Sequence, residues 1–293
     1  MNRKAKVYLV STTDRKEGVK RCFQYMGHLQ YSGKHVFVKP NFNTADKCPG
    51  STHNDTLEEL LIELKSFNPA SLTIGERSGP AVMAEVFREK GIDALCERLN
   101  VNLVNFEELS EDEWVPFQEE GLHWPGGFHI PKLVTQSDIV VSTCTLKTHG
   151  FGGVFSMSLK LGVGLVPKDF EKLHHSDHMR KMIAEINLAY KPDFVLMDGI
   201  DVFTYGGPME GTRKKGNVML VAQDRIALDA VGLAILRTLG SNESIMNVPI
   251  FEQEQIARAV ELGLGISKLE DIEIVTDDKK SASFALKLEE FLK

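Results

Sequence analysis

Short apolar runs alternate along the chain with segments whose apolar side chains repeat at helical spacing. Residues 6–10 and 35–38 are compact apolar runs of the kind found in buried strands. Residues 16–30 lie between them and repeat their apolar side chains every three or four positions, as an amphipathic helix does. Strands that alternate with helices predict parallel pairing. The sequence therefore predicts an α/β fold whose mainly parallel sheet is flanked by helices.

The same alternation continues to the end of the chain. Further strands are predicted over residues 71–74, 101–106, 138–143, 193–197, 217–221 and 272–275. Further helices are predicted over residues 54–67, from 80 onwards, and over 156–165, 177–190, 225–239, 248–262 and 281–293. Residues 205–216 are rich in glycine and are predicted to be a loop.

Residues 107–131 break the alternation. They carry several clustered acidic side chains and end in Trp124-Pro125-Gly126-Gly127. We expect a solvated acidic insertion here, with a lid as the alternative. We expect residues 1–293 to form a single α/β unit, and the alternative is two α/β lobes divided near 107–137 with a cleft between them.

Composition narrows the class of protein. The chain has 293 residues, of which 42% are hydrophobic and 26% charged, as in ordinary soluble proteins. The net charge of −7 argues against a general nucleic-acid binder. No apolar run approaches the roughly 18 residues of a membrane span, and the N-terminus lacks the apolar core of a signal peptide. We therefore expect a cytoplasmic protein without a nucleic-acid or membrane partner.

The four cysteines are far apart in sequence, at positions 22, 48, 96 and 144. No CxxC motif is present, so we do not expect this chain alone to hold an iron–sulfur cluster. Cys144 follows a predicted strand, where it could be an activated thiol or simply a buried one.

Polar residues follow five separate predicted strands. Ligands of parallel α/β sheets bind beyond the carboxyl ends of the strands, so these residues are expected to share one crevice. They are Lys39 and Asn41, Glu76, Lys147 to His149, Asp198, and Asp224.

Three lysines favour a small anionic ligand, two of them in this set and the third later in the sequence. Lys39, Lys147 and Lys160 are the candidate anion-binding cations, and Asn41 and Thr148 the neutral ligand-binding residues. A glycine-rich stretch that includes Gly152 and Gly153 could present free backbone N–H groups to the anion, or could serve only close packing.

Histidines suggest a second possibility, a divalent metal. His174 and His178 are four residues apart, which places two imidazoles on one face of a helix. The candidate ligand set is His149, His174, His175 and Asp198, with His178 and Glu76 as further candidates. Imidazole with carboxylate oxygen suits Zn, Fe, Mn or Ni. The alternative is a polar helix start.

Three residues are candidates for catalysis. His149, Lys147 and Asp198 could transfer protons if their pKa values are brought toward neutrality. Asp229 lies among apolar residues of the predicted helix 225–239. An unpaired buried charge is costly, so we expect Asp229 to be paired, hydrogen-bonded or functional.

The chain resembles the family known as domain of unknown function 362. The resemblance runs from about residue 35 to 275, with the motifs in the same order and spacing. The matching motifs are VKPN at 38–41, GE at 75–76, LKTHG at 146–150, SLK at 158–160, HH at 174–175, KPD at 191–193, MDGI at 197–200, GGP at 206–208 with Gly211, and ALDAV at 227–231.

The resemblance implies little about activity, since that family is uncharacterised. Some of its members are joined to ferredoxin-like iron–sulfur modules, but this chain lacks the cysteine cluster and no such cofactor is carried over. Members usually have Asp where this chain has Glu76.

Three functions fit the sequence. The first is an enzyme that acts on a small anionic substrate at the carboxyl edge of the sheet, with or without a metal. The second is a redox component that uses a flavin or the iron–sulfur cluster of a partner. The third is a non-catalytic sensor or scaffold for a small ligand.

Overall fold

The computed structural model describes residues 4–168, 173 and 176–292. The strands within them are β1 (Ala5–Ser11), β2 (His35–Lys39), β3 (Ser71–Glu76), β4 (Asn102–Asn105), β5 (Trp114–Phe117), β6 (Phe128–Pro131), β7 (Ile139–His149), β8 (Val154–Phe155), β9 (Phe194–Gly206), β10 (Gly211–Ala222) and β11 (Ile272–Thr276).

Helices connect and cover these strands. They are α1 (Arg15–Gln24), α2 (Asn54–Ser66), α3 (Met83–Glu89), α4 (Ile92–Leu99), α5 (Lys132–Gln136), α6 (Met179–Ile186), α7 (Arg225–Leu239), α8 (Glu243–Asn247), α9 (Glu254–Glu261) and α10 (Lys279–Leu288). None of them, within the residues that the structure describes, is long and apolar enough to cross a membrane.

One sheet contains strands from both ends of the chain. Its order is β11–β1–β10–β9–β7–β2–β3–β4, and β8 pairs with the end of β7. Along that path β10 is antiparallel to both neighbours, while the other pairs are parallel. Helices α1 to α4 cover one face, and α7 with α10 covers the other. The prediction of a mainly parallel α/β sheet flanked by helices is confirmed.

The direction of β10 corrects one expectation. Strands β9 and β10 form a long antiparallel hairpin, so most of the predicted loop 205–216 is strand. Because β10 runs against the parallel strands, Asp224 lies at the opposite edge of the sheet from Lys39 and Lys147. Its Oδ1 accepts a hydrogen bond of 2.9 Å from Ala227 N and caps α7. The prediction that Asp224 joins the crevice is therefore wrong.

Strand β7 is longer than predicted. It continues to His149, so Lys147 and His149 lie within the strand rather than in a loop after it. The chain then turns back through β8, which pairs with Thr148 and His149. The helix predicted over 156–165 is a 3-10 helix, Leu159–Leu165.

Several helices are shorter than predicted. Helix α1 ends at Gln24 instead of residue 30, and α3 begins at Met83 rather than near Pro80. Helix α9 begins at Glu254, six residues after the predicted start at 248. Apolar side chains at helical spacing predict which face of a helix is buried, but they do not predict the residue at which the helical hydrogen bonds end.

The segment 107–131 is packed against the protein rather than solvated throughout. Strands β5 and β6 form a separate two-stranded sheet. Trp124 and Phe128 are buried in an apolar cluster with Met182 of α6, and Trp124 Nε1 donates a 3.0 Å hydrogen bond to Met182 O. Glu119 and Glu120 are exposed. The aromatic side chains anchor the insertion, and Glu107 at its start is bonded to Ser78, Met83 N and Lys168.

Candidate functional site

A cavity of about 300 Å³ lies at the carboxyl ends of β2, β3 and β7. Each of these strands ends in a polar residue, and parallel pairing brings those ends together. The predicted residues in its wall are Lys39, Asn41, Glu76, Lys147, His149 and Lys160. Residues that are far apart in sequence therefore meet at one place.

Lys39 and Glu76 form a buried ion pair. Lys39 Nζ lies 2.6 Å from Glu76 Oε2, and the two side chains are 1% and 2% exposed. Glu76 also accepts backbone hydrogen bonds of 3.0 Å from Phe42 N and from Arg77 N. Burial lowers the pKa of Lys39 and raises that of Glu76, but their attraction and the two N–H donors oppose these shifts. The longer Glu side chain thus makes a tight ion pair.

Gly164 leaves room for this pair. A Cβ at position 164 would lie 2.5 Å from Glu76 Oε1 and 2.6 Å from Lys39 Nζ. Both atoms belong to a buried, hydrogen-bonded pair that cannot move away cheaply. Glycine at the end of the 3-10 helix thus lets that segment close over the ion pair.

Lys147 is buried without a carboxylate partner in the described residues. Its side chain is 1% exposed, and Nζ donates a 2.5 Å hydrogen bond to Gly50 O. Burial, together with the nearby charge of Lys160, lowers the pKa of Lys147 to about 7. At neutral pH this amine is therefore divided between its charged and neutral forms.

Lys160 reaches the same cavity from the 3-10 helix Leu159–Leu165. Among residues 4–168, 173 and 176–292 its ammonium has neither an ion pair nor a hydrogen bond. Burial, with the charge of Arg77, lowers the pKa of Lys160 to about 8. Lys160 is thus the cation with the least compensation in the cavity wall.

Arg77 is a cavity residue that the sequence reasoning missed. Its guanidinium donates hydrogen bonds to the backbone oxygens of Val166, Ser78 and Val163. Burial lowers the pKa of Arg77 to about 10, which still leaves it charged at neutral pH. Its position directly after Glu76 at the end of β3 was the available signal, because the carboxyl-end rule covers it as well.

His149 follows Lys147 at the next position on the same face of β7, and both line the cavity. Gly153 N donates to His149 Nδ1 at 3.3 Å. An accepting Nδ1 leaves the proton of the neutral ring on Nε2. A Cβ at Gly153 would lie 2.8 Å from His149 Nδ1 and 3.3 Å from the Cε of Lys160, so glycine here gives both side chains their space.

Three predicted ligand-binding residues do not line the cavity. Thr148 points away from it, since strand residues alternate, and its buried hydroxyl has no hydrogen-bond partner in the described part of the chain. Gly152 and Gly153 are also absent from the wall, and Gly153 N is used by His149. Gly150 N likewise donates to Gly207 O at 2.9 Å. Two N–H groups of the glycine-rich stretch, those of Gly150 and Gly153, are thus bonded within the protein.

Asp198 belongs to a different cluster. Its Oδ2 lies 2.7 Å from Arg15 Nε and accepts a 2.8 Å hydrogen bond from Thr56 Oγ1. Arg15 also bridges to Asp201 at 2.9 Å. Asp198 is fully buried in this ion-pair network and does not line the cavity. Its assignment as a proton-transfer residue or metal ligand beside His149 is therefore corrected.

A metal site is not formed by the described residues. Among residues 4–168, 173 and 176–292, no group of three or more His, Cys, Asp or Glu side chains could hold a metal ion. The predicted ligands His174 and His175 lie outside the described residues. His178 is exposed, and its ring lies 4.4 Å from that of His123. The cavity wall is cationic, which disfavours a bare cation.

The cysteines are all free and buried. Burial raises the pKa of Cys144 well above its ordinary value, so its thiol stays protonated at neutral pH. Cys144 is packed in the apolar core under α7 rather than in the cavity. The interpretation of Cys144 as a buried thiol is the one that the structure supports.

Asp229 holds the segment that carries Lys160. Its carboxylate accepts hydrogen bonds of 2.8 Å from Ser158 N, 2.5 Å from Ser158 Oγ and 3.0 Å from Leu159 N. Asp229 is fully buried in α7, so these bonds tie the start of the 3-10 helix to the core. The expectation that Asp229 is hydrogen-bonded is confirmed, and its role is to position the segment.

Replacing Asp229 by asparagine is expected to lower the free energy of unfolding by about 1–3 kcal/mol at neutral pH. The reason is that one backbone N–H donor then faces the NH₂ group of the amide instead of a carboxylate oxygen. Burial raises the pKa of Asp229 to about 6 from 3.8. The folded state therefore binds more protons than the unfolded state between these values, and stability falls as pH rises through them. Urea unfolding at several pH values measures both effects.

The control for this variant is Asp14→Asn. Asp14 caps α1 at the surface through a 3.0 Å bond from Glu17 N, and asparagine caps helices about as well. We expect this control to change stability by less than about 0.5 kcal/mol. An Asp229→Asn protein that matches it, and that retains the pH dependence between about 4 and 6, would contradict the positioning role.

The sequence of the whole region matches a known family. The family model described as Domain of unknown function (DUF362) matches residues 36–234, more than half of the chain. The chain belongs to this family. All of the cavity residues named above, from Lys39 to Lys160, fall within the matched region.

Two individual proteins are similar to the chain. Thylakoid-associated protein sll1697 of Synechocystis sp. is 23% identical over 227 residues, which cover 72% of this chain and 66% of that protein. The match thus spans just under two thirds of that protein's length. The lactate racemase apoprotein from Thermoanaerobacterium thermosaccharolyticum aligns with a TM-score of 0.49 and 16% identity, over 99% of this chain and 91% of that one. A similarity of this size says nothing about the chemistry of the cavity.

Proposed function

We propose that the protein is an enzyme that binds a small anion in the cavity and acts on it by proton transfer. The observation that carries the proposal is the excess of positive charge in the wall. Lys39, Arg77, Lys147 and Lys160 line it, and Glu76 is the one carboxylate among its lining residues in the described chain. Since Glu76 is paired with Lys39, Lys147 and Lys160 are the cations of the wall that have no carboxylate partner among the described residues, and they suit an anionic ligand.

Lys147 and Lys160, which have no carboxylate partner among the described residues, reduce stability. Desolvation penalises each charge, and the two charges repel each other. Such costs persist in proteins where function needs them. An anion bound between Lys147 and Lys160 would offset both the desolvation and the repulsion.

The size and the apolar part of the wall support a small organic ligand. A volume of about 300 Å³ is at the lower end of ordinary ligand cavities. Apolar side chains line the rest of it, among them Phe151, Met157, Leu161, Val163 and Met209. Phe151 is 61% exposed. A ligand with a charged end and an apolar part would match these surroundings.

Lys147 and His149 favour an enzyme over a purely binding protein. Both lie in the cavity wall, and Lys147, whose pKa burial lowers to about 7, is suited to exchange protons at neutral pH. In this proposal Lys160 holds the anion, the charge of Arg77 adds to the positive potential of the wall, and Lys147 and His149 move protons. Asp198 has no part in it.

Binding is tested by thermal unfolding with phosphate, sulfate, malonate and pyruvate, each compared with sodium chloride at equal ionic strength. We expect at least one of these anions to raise the melting temperature beyond the chloride effect, because a ligand of the folded state stabilises it. Lys160→Met should weaken that binding by about 10–100-fold, the usual effect of losing one charge-assisted contact. Calorimetric titration gives the affinity.

The control is Lys132→Met, which removes an exposed lysine outside the cavity and should bind like the wild type. Catalysis is tested by NMR detection of hydrogen exchange into bound pyruvate or malonate in deuterium oxide. No anion-specific stabilisation would overturn the proposal. Binding without any exchange would leave a sensor or scaffold in place of an enzyme.

A further inference from the structure

The buried lysines of the cavity are of two kinds. Lys39 has a carboxylate 2.6 Å away and is committed to an ion pair. Within the part of the chain that the structure describes, Lys147 has only the Gly50 carbonyl as a partner and reaches it with one N–H, so its amine can lose a proton and keep that hydrogen bond. Lys147 is thus a buried amine that can present a lone pair to a ligand.

The environment favours the neutral amine of Lys147 over that of Lys160. Burial and the neighbouring ammonium lower the pKa of Lys147 to about 7, against about 8 for Lys160. At neutral pH Lys160 is mostly charged and suited to hold an anion, while about half of Lys147 is neutral. A desolvated lysine beside another cation is a recognised arrangement for a nucleophilic amine.

We propose that Lys147 forms an imine with the carbonyl carbon of a small oxo acid whose carboxylate lies against Lys160. The inference rests on the proposed function and deepens it, since it names the substrate class as 2-oxo acids and related aldehyde acids. Both groups of such a ligand find a partner in one cavity: a cation for the carboxylate and an amine for the carbonyl.

The step balances without a redox partner. The Lys147 lone pair attacks the carbonyl carbon, and a C–N bond forms while the carbonyl oxygen takes up a proton. The nitrogen then loses a proton, the hydroxyl takes up a second one, and it leaves as water. The product is a protonated imine, so the amine, the oxo acid and one proton give the iminium and one water.

His149 is positioned to take part in these proton transfers. It lies two residues from Lys147 on the same face of β7, and its Nδ1 accepts a hydrogen bond from Gly153 N. A group that gives a proton to the carbinolamine hydroxyl and takes one from the nitrogen would speed both stages. Tyr190 is a buried residue whose hydroxyl lies near Gly162 of the 3-10 helix, but it does not line the cavity.

The test is reductive trapping with glyoxylate, the smallest acid that carries an aldehyde, and cyanoborohydride. Reduction of the imine leaves a carboxymethyl group on the lysine, which peptide mass spectrometry locates. At about pH 7 we expect Lys147 to be modified about 100-fold faster than exposed lysines, whose amines are almost fully protonated. The rate at Lys147 should level off above about pH 7, whereas rates at exposed lysines keep rising toward about pH 10.

Matched variants separate the possible failures. Lys147→Met should abolish the fast site, Lys160→Met should slow labelling at Lys147, and Lys132→Met should leave it unchanged. If sulfate or malonate binds but glyoxylate labels only exposed lysines, the imine is overturned and anion binding stands. If no anion stabilises the protein and labelling is uniform, the proposed function falls together with the imine.

Discussion

Replacing Glu76 by glutamine is expected to lower the free energy of unfolding by about 3–5 kcal/mol. Lys39 Nζ and Glu76 Oε2 are 2.6 Å apart, and both side chains are almost wholly buried. Removing one partner of a buried pair leaves an uncompensated charge in a medium of low polarity, and that penalty exceeds the strength of the pair itself. Glutamine would also turn an amide N–H₂ toward Lys39 or toward the backbone N–H of Arg77.

A double-mutant cycle shows whether the uncompensated charge is the cause. Adding Lys39→Met to Glu76→Gln removes that charge, so the double variant should recover most of the lost stability. Glu58→Gln is the control, because Glu58 pairs with Lys16 and Arg98 at the surface and should cost less than about 1 kcal/mol. Urea unfolding measures the wild type, the two single variants, the double variant and the control. Equal losses for Glu76→Gln and Glu58→Gln would contradict the assignment of a buried pair.

Replacing Lys160 by methionine is expected to stabilise the ligand-free protein by about 1–3 kcal/mol at neutral pH while weakening anion binding. The ammonium has no partner in the described residues, and methionine has a similar length without the charge. A substitution that raises stability and lowers affinity identifies a charge kept for a ligand. A substitution that lowers both would instead show a structural role for Lys160.

The pH dependence gives this prediction a second measurement. Burial lowers the pKa of Lys160 to about 8 from 10.5, so the unfolded state binds more protons between these values. Stability from this group therefore rises as pH rises from about 8 to about 10. Lys160→Met should lose a rise of about 2–4 kcal/mol over this range, and Lys132→Met should retain it. Calorimetry or urea unfolding between about pH 7 and pH 10 makes the comparison.

Most of the polar residues in the cavity wall could be predicted from their positions at the carboxyl ends of strands. Lys39 and Glu76 are the last residues of β2 and β3, and Lys147 and His149 close β7, so parallel pairing brings them to one edge. Arg77 obeys the same rule and was overlooked. Asp224 breaks it, because hairpin pairing between β9 and β10 reverses the direction of its strand.

The position of a residue at a strand end does not predict the direction in which its side chain points. Asp198 and Lys147 both lie on strands of the same sheet edge, yet Asp198 is held by Arg15 and Thr56 outside the cavity wall. Those partners come from α1 and α2, far from Asp198 in sequence. Contacts between residues so far apart in sequence depend on how the helices pack on the sheet, and the local sequence pattern does not predict them.

The sequence by itself determined the α/β class, the order of strands and helices, and the polar residues at strand ends, because periodicity and turn residues act over a few positions. Only the tertiary structure decided that β10 runs antiparallel to its neighbours and that Asp229 holds the start of the Lys160 segment. It also decided that Lys147 and Lys160 line one cavity with no carboxylate partner in the described part of the chain. These features arise from contacts between distant parts of the chain. Their energies depend on burial and on neighbouring charges, which exist only once the chain has folded.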